Sequence, residues 1–123
     1  MDLSTQSHLK TLRDALQFRL VELRGEVHAA ELARRAPVDI TEVGPRADEA
    51  VREQAAEMCE AEERRDVEEM QRVEAALHRL DVGRYGDCGD CGEPIGMPRL
   101  LVQPAAERCA GCQTTYEHRK RGA

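Results

Sequence analysis

Two cysteine pairs constrain this chain more than anything else in it. They stand in "CGDC" at 88 to 91 and "CAGC" at 109 to 112, so that Cys88, Cys91, Cys109 and Cys112 form C-x2-C-x17-C-x2-C. A two-residue gap lets both sulfurs of a pair turn toward one point, and the interval between the pairs falls in the range of four-thiolate zinc sites. Gly86, Gly89, Gly92 and Gly111 permit the tight backbone turns that such a knuckle needs. With four protein ligands no position is left open for a water, so the expected ion is structural rather than catalytic. Three other uses of four cysteines compete. Disulfides need an oxidising compartment, and the polar start "MDLSTQSHLK" lacks the apolar run of a signal peptide. A dithiol redox pair would need a thioredoxin-like strand and helix, which the Pro- and Gly-rich flanks do not supply. An iron–sulfur cluster is the third alternative.

What precedes the cysteines reads as helix. The chain has 123 residues with one Phe, two Tyr and no Trp, too little bulky side chain for a broad core, and 34% of it is charged. Leu9, Leu12, Leu16, Leu20, Leu23, Val27 and Ala30 follow three- and four-residue steps and line one face of a helix over about 5–36, closed by Pro37. "PVDITEVGPRAD" holds two prolines and Gly44, and forms a tip loop over about 37–47. A second helix over about 46–82 carries Val51, Ala55, Met58, Val73, Leu77 and Leu80 and stops near Gly83, with Asp48 and Glu49 at the positive end of its dipole. Its middle, "CEAEERRDVEEM", is too polar to pack tightly. The expected fold is mainly α: a long antiparallel two-helix coiled coil over 1–83, then a small four-Cys zinc-finger module with a C-terminal helix over 84–123. Between the cysteine pairs "GEPIGMPRLLVQPAA" reads as a small ribbon or loop over the metal.

Charge and motifs exclude several functions. Residues 1–83 carry 12 basic and 19 acidic side chains, against 6 and 5 in residues 84–123, so the long acidic part repels nucleic acid phosphates. No run of about 18 apolar residues marks a membrane span, and the expectation is a cytoplasmic protein. No P-loop, dinucleotide fingerprint or nucleophile–base pattern appears, which leaves an enzyme reading without support. Cys59 reads as a small apolar residue at the helix contact. His8, His28, His78 and His118 are scattered, and only His118 stands near the cysteines.

The stretch "RYGDCGDCGEPIGMPRLLVQPAAERCAGC" closely resembles the zinc finger of the DksA/TraR family of bacterial RNA polymerase regulators. A hairpin before the finger agrees with the longer, DksA-type members. The resemblance implies a factor that inserts its coiled coil into the secondary channel of RNA polymerase, places an acidic tip near the active centre, and alters promoter-complex stability without binding specific DNA. Counted back from the first zinc cysteine, the family's Asp-x-x-Asp-x-Ala tip falls on Pro45, Asp48 and Ala50, so the first acid is replaced by proline while Glu42 and Glu49 keep the region acidic. The same count puts Arg65 and Arg72 at two basic positions that help hold the alarmone ppGpp, and puts Gln103 and Gln113 at two others. An amide grips a pyrophosphate less well than a cation, so the resemblance implies weakened ppGpp use. Arg65 and Arg72 have a plainer reading as partners of Glu62, Glu68 and Glu69 at helical spacing. Three different functions also fit parts of the sequence: a zinc-stapled helical adaptor for another protein, a zinc-ribbon nucleic-acid binder using Arg99, Arg108 and the Arg119–Arg121 run, and a thiol-based redox sensor.

Overall fold

The computed structural model describes residues 3–35 and 49–122. Four helices follow in order: α1 (Leu3–Arg35), α2 (Glu49–Asp81), α3 (Met97–Val102) and α4 (Ala110–Gly122). Among the described residues there is no strand, only an isolated antiparallel bridge between Asp87 and Pro94. The protein is mainly α, with two long helices ahead of a small cysteine-bearing module. None of the described helices is long and apolar enough to cross a membrane. The expected tip loop, with Pro37, Gly44, Pro45 and Asp48, lies outside the described residues.

Contacts divide the chain into two units, Met1–Val21 with Gln71–Ala123, and Glu22–Met70. In the first unit Leu12, Leu16 and Leu20 of α1 are buried, as are Val73 and Ala76 of α2. Arg13 donates to Asp81 at 2.8 Å, which joins the first half of α1 to the last turn of α2. That pair is half exposed and adds little stability; the buried leucines dominate. In the second unit Leu23 is fully buried, Val27 and Ala30 are half-buried, and Arg34 pairs with Glu63 at 2.6 Å. The stripe read from α1 therefore holds along its length, because a three- and four-residue step keeps those side chains on one face.

On α2 the expected stripe fails at its start. Val51, Ala55 and Met58 are exposed, as is every residue from 49 to 60, and Cys59 is exposed rather than at a helix contact. The register explains it: with Arg34 beside Glu63, no described residue of α1 lies opposite this stretch. The polar middle packs better than its composition suggests, with Val67 and Met70 half-buried. Ala76, which the expected stripe omitted, is completely buried, since its small side chain admits a close approach.

The end of α2 is built for a sharp exit. Gly83 takes a φ of 74°, its N–H donates to the Leu80 carbonyl at 3.4 Å, and the Arg84 N–H donates to the Arg79 carbonyl at 2.8 Å. This is a Schellman cap, which satisfies carbonyls that the last turn would otherwise leave open and turns the chain toward the cysteines.

Candidate metal centre

The module after α2 is organised by two turns and two short helices. In the first turn the Cys88 N–H donates to the Glu93 carbonyl at 2.8 Å and the Gly92 N–H to the Cys88 carbonyl at 3.0 Å, which folds the chain back so that Cys88 and Cys91 face one point. Gly92 stands at φ 76°, where a side chain would be strained; Gly86 uses the same region, whereas Gly89 and Gly111 do not. Gly111 lies inside α4 and imposes no turn. The stretch between the pairs, expected as a small ribbon or loop, is loop apart from helix α3, which forms because Pro98 suits a first turn and Leu100 finds a buried position. α4 begins before Cys112, and the Gln113 N–H donates to the Cys109 carbonyl at 2.9 Å, so the second pair sits on the opening turn of a helix.

All four sulfurs lie within 4.8 Å of one another, and Cys91 and Cys109 are 3.9 Å apart. Tetrahedral zinc with bonds of about 2.3 Å sets its sulfurs roughly 3.8 Å apart, so the cluster has the size that one such ion requires. An iron–sulfur cluster would have to seat several irons and sulfides between the thiolates and spread them wider. Among the described residues no histidine or carboxylate joins the group, and His118 is exposed outside it. Backbone amides of Cys109 and then Cys91 draw the Cys88 thiol down to about 6. Cys112 is pushed up to about 12 by its sulfur neighbours, Cys109 first. For Cys91 the Glu93 amide pulls downward, yet the Cys88 sulfur and desolvation outweigh it and the thiol ends above its ordinary value. Crowded thiols with no cation thus share their negative charge poorly, and a divalent ion is the group that lets all four ionise. The residues fit a metal.

Around the sulfurs the packing is tight on one side. Leu12 of α1 forms a buried cluster with Cys88, Ile95 and Leu100, flanked by Tyr85, Met97, Ala106, Cys109 and Cys112. Tyr85 donates from its hydroxyl to the Pro104 carbonyl at 2.8 Å, and burial raises the phenol's pKa, with Arg79 opposing. Arg79 also reaches the Ala106 carbonyl at 3.4 Å. The roles of Leu12 and Tyr85 were not apparent from sequence. The only local sign was the short apolar run around Leu100, which shows that something packs there but not what.

Residues 83–118 match the prokaryotic dksA/traR C4-type zinc finger. The RNA polymerase-binding transcription factor DksA of Haemophilus influenzae is 29% identical over 114 residues, 93% of this chain and 75% of that protein. Its counterpart in Caulobacter vibrioides is 40% identical over 50 residues, 41% of this chain and 35% of that protein. The structure of transcription factor DksA2 from Pseudomonas aeruginosa superposes with a TM-score of 0.72 at 30% identity, covering 94% of this chain and 87% of that one. This chain belongs to the DksA/TraR family. Membership accounts for the four-Cys metal site and for the order of the elements, two long helices before the finger. The remaining residues singled out from sequence fall elsewhere on this DksA/TraR framework. Asp48 lies outside the described residues, and Glu49 and Ala50 are exposed on the first turn of α2. Arg65 and Arg72 are exposed on α2 in different units, and among the described residues neither has a carboxylate partner. Gln103 is the exposed C-cap of α3, and Gln113 spends a side-chain N–H on Glu117 at 3.2 Å.

Proposed function

We propose that this chain is a regulator rather than an enzyme: it binds RNA polymerase in the cytoplasm by entering the secondary channel, and shifts promoter-complex stability without reading DNA sequence. One observation carries the reading, the likeness across 94% of the chain to a DksA-type transcription factor. The Haemophilus relative, named for binding RNA polymerase, is similar over 93% of the chain and adds support. Cys88, Cys91, Cys109 and Cys112 hold one structural zinc, and the tip of the long helices acts through Asp48, Glu49 and Ala50. Exposed Glu49, Glu53, Glu57 and Glu60 at the start of α2 suit a positively lined channel, where complementary charge speeds docking. The experiment is binding of the zinc-loaded chain to core polymerase, with localised cleavage from an iron-substituted active site. Binding with cuts near Asp48 is expected, and cuts confined to the cysteine module would overturn the orientation. Asp48→Asn is expected to keep polymerase binding and lose the promoter effect; lost binding would make Asp48 an anchor instead.

A second expectation concerns ppGpp. Arg65 and Arg72 are free to meet phosphate, but Gln103 and Gln113 replace two cations, so the alarmone should bind weakly beside this chain. Adding ppGpp to an in vitro transcription assay on a ribosomal promoter is expected to change this chain's effect little. Restoring charge with Gln103→Lys and Gln113→Lys should raise the response, and strong synergy in the unmodified chain would refute the proposal.

A further inference from the structure

We propose that Arg108 is a latch that holds the two cysteine turns together without touching the metal, and thereby sets how fast zinc leaves; the inference rests on the zinc reading above. Arg108 immediately precedes Cys109, in the second turn. Its Nε donates to Asp90 Oδ2 at 2.9 Å, and Asp90 stands between Cys88 and Cys91 in the first turn. Its guanidinium carbon lies 4.0 Å from the centroid of the Tyr116 ring, one helical turn past Cys112 on α4. Its Nη1 is 3.6 Å from Glu107 Oε2, and its backbone carbonyl accepts from Arg99 Nε of α3 at 3.0 Å. One residue therefore meets both turns and both short helices.

The chemistry requires arginine. A guanidinium is planar and delocalised, so it can hold a carboxylate in its plane while its face rests on an aromatic ring; an ammonium does not do both in one pose. The Arg108 side chain is 22% exposed against 50% for Asp90, so the cation is the better shielded member. Release of zinc to a chelator requires one turn to swing away from the other, since both hold two sulfurs. The Gly89 N–H to Glu107 carbonyl bond, 2.9 Å, also joins the turns, and the Arg108–Asp90 pair reinforces it from the side chains. The metal ion pulls the sulfurs together while bound; the latch keeps the turns adjacent when one sulfur lets go, so that rebinding competes with escape.

Zinc transfer from the full chain to an excess of a chromogenic chelator tests this. Arg108→Ala is expected to release zinc roughly tenfold faster, the combined worth of a partly shielded ion pair and a cation–π contact. Asp90→Asn and Tyr116→Leu should each accelerate release by less, and Asp90→Asn added to Arg108→Ala should accelerate it no further. Arg108→Lys should fall between, keeping the attraction to Asp90 and losing the stack. High salt should speed the unmodified chain and leave Arg108→Ala nearly unmoved, a response that a merely structural role would not give. If Arg108→Ala does not fold, Arg108→Lys and Tyr116→Leu carry the same test. One bound zinc per chain with release rates equal in all variants overturns the latch alone, whereas no bound zinc in the unmodified chain removes the metal reading and the latch with it.

Discussion

Removing the metal with a strong chelator, or replacing Cys109 by Ser, is expected to unfold the cysteine module while the long helices persist. Among residues 84–122 only Cys88, Ile95 and Leu100 are buried. Burying a large apolar side chain contributes about 1.5–3 kcal/mol. Ordering each backbone residue costs about 1–2 kcal/mol, so that burial cannot hold nearly forty residues in place. A structural zinc contributes about 10–16 kcal/mol of apparent binding energy in small metal-folded domains, more than those three buried side chains together, so the ion is the largest single contribution to the module's order. Cys109 is the most exacting position because its sulfur lies 3.9 Å from Cys91 and accepts the Cys112 N–H at 3.5 Å. Circular dichroism should lose about a fifth of its helical signal, the share of α3 and α4, and limited proteolysis should cut between Arg84 and Arg121. Acid should act in the same direction: a metal-bound thiolate is held below its ordinary value, so its contribution is present at neutral pH and lost as pH falls. An unchanged spectrum and cleavage pattern in the metal-free chain would show that the module folds by packing alone.

Leu12→Ala is expected to be the most damaging substitution on α1, because this side chain, 2% exposed, is packed in the buried cluster of the cysteine module with Cys88, Ile95 and Leu100. Truncation loses the transfer energy of the missing carbons and leaves a cavity against Cys88, Ile95 and Leu100, together about 2–5 kcal/mol. For a unit of this size each kcal/mol moves the midpoint by about 4–8 °C, so a fall of roughly 10–20 °C or more should be seen by thermal denaturation. Zinc should also leave faster, since Cys88 shares the cavity. Leu32→Ala on the same helix is the control, because Leu32 is 54% exposed and its loss should stay within about 0.5 kcal/mol. Equal effects at the two positions would contradict the assigned core.

The division between what was readable and what was not follows the range of the interactions. Helix α1 and its buried face were legible because each leucine announces its side by the distance to the next, a property of neighbouring residues. The cysteine constellation was legible for a related reason: the two-residue gap is a local geometric requirement, and the ion then brings the distant pair to it. Helix α3 was missed because it spans only six residues, too few to show a period, and depends on Leu100 finding Leu12 and Ile95.

Sequence alone determined the helical class, the working face of α1, the four sulfurs and, through the finger's residues, the family. Tertiary structure decided the rest. Which part of α2 has a partner depends on the register marked by Arg34 and Glu63, and that left Val51, Met58 and Cys59 exposed although their spacing resembles a core. Whether Arg108 is a surface charge or a clasp depends on Asp90 and Tyr116, 18 residues before it and eight after, meeting at one place. No period in the chain links those three positions; the cysteine turns bring them together.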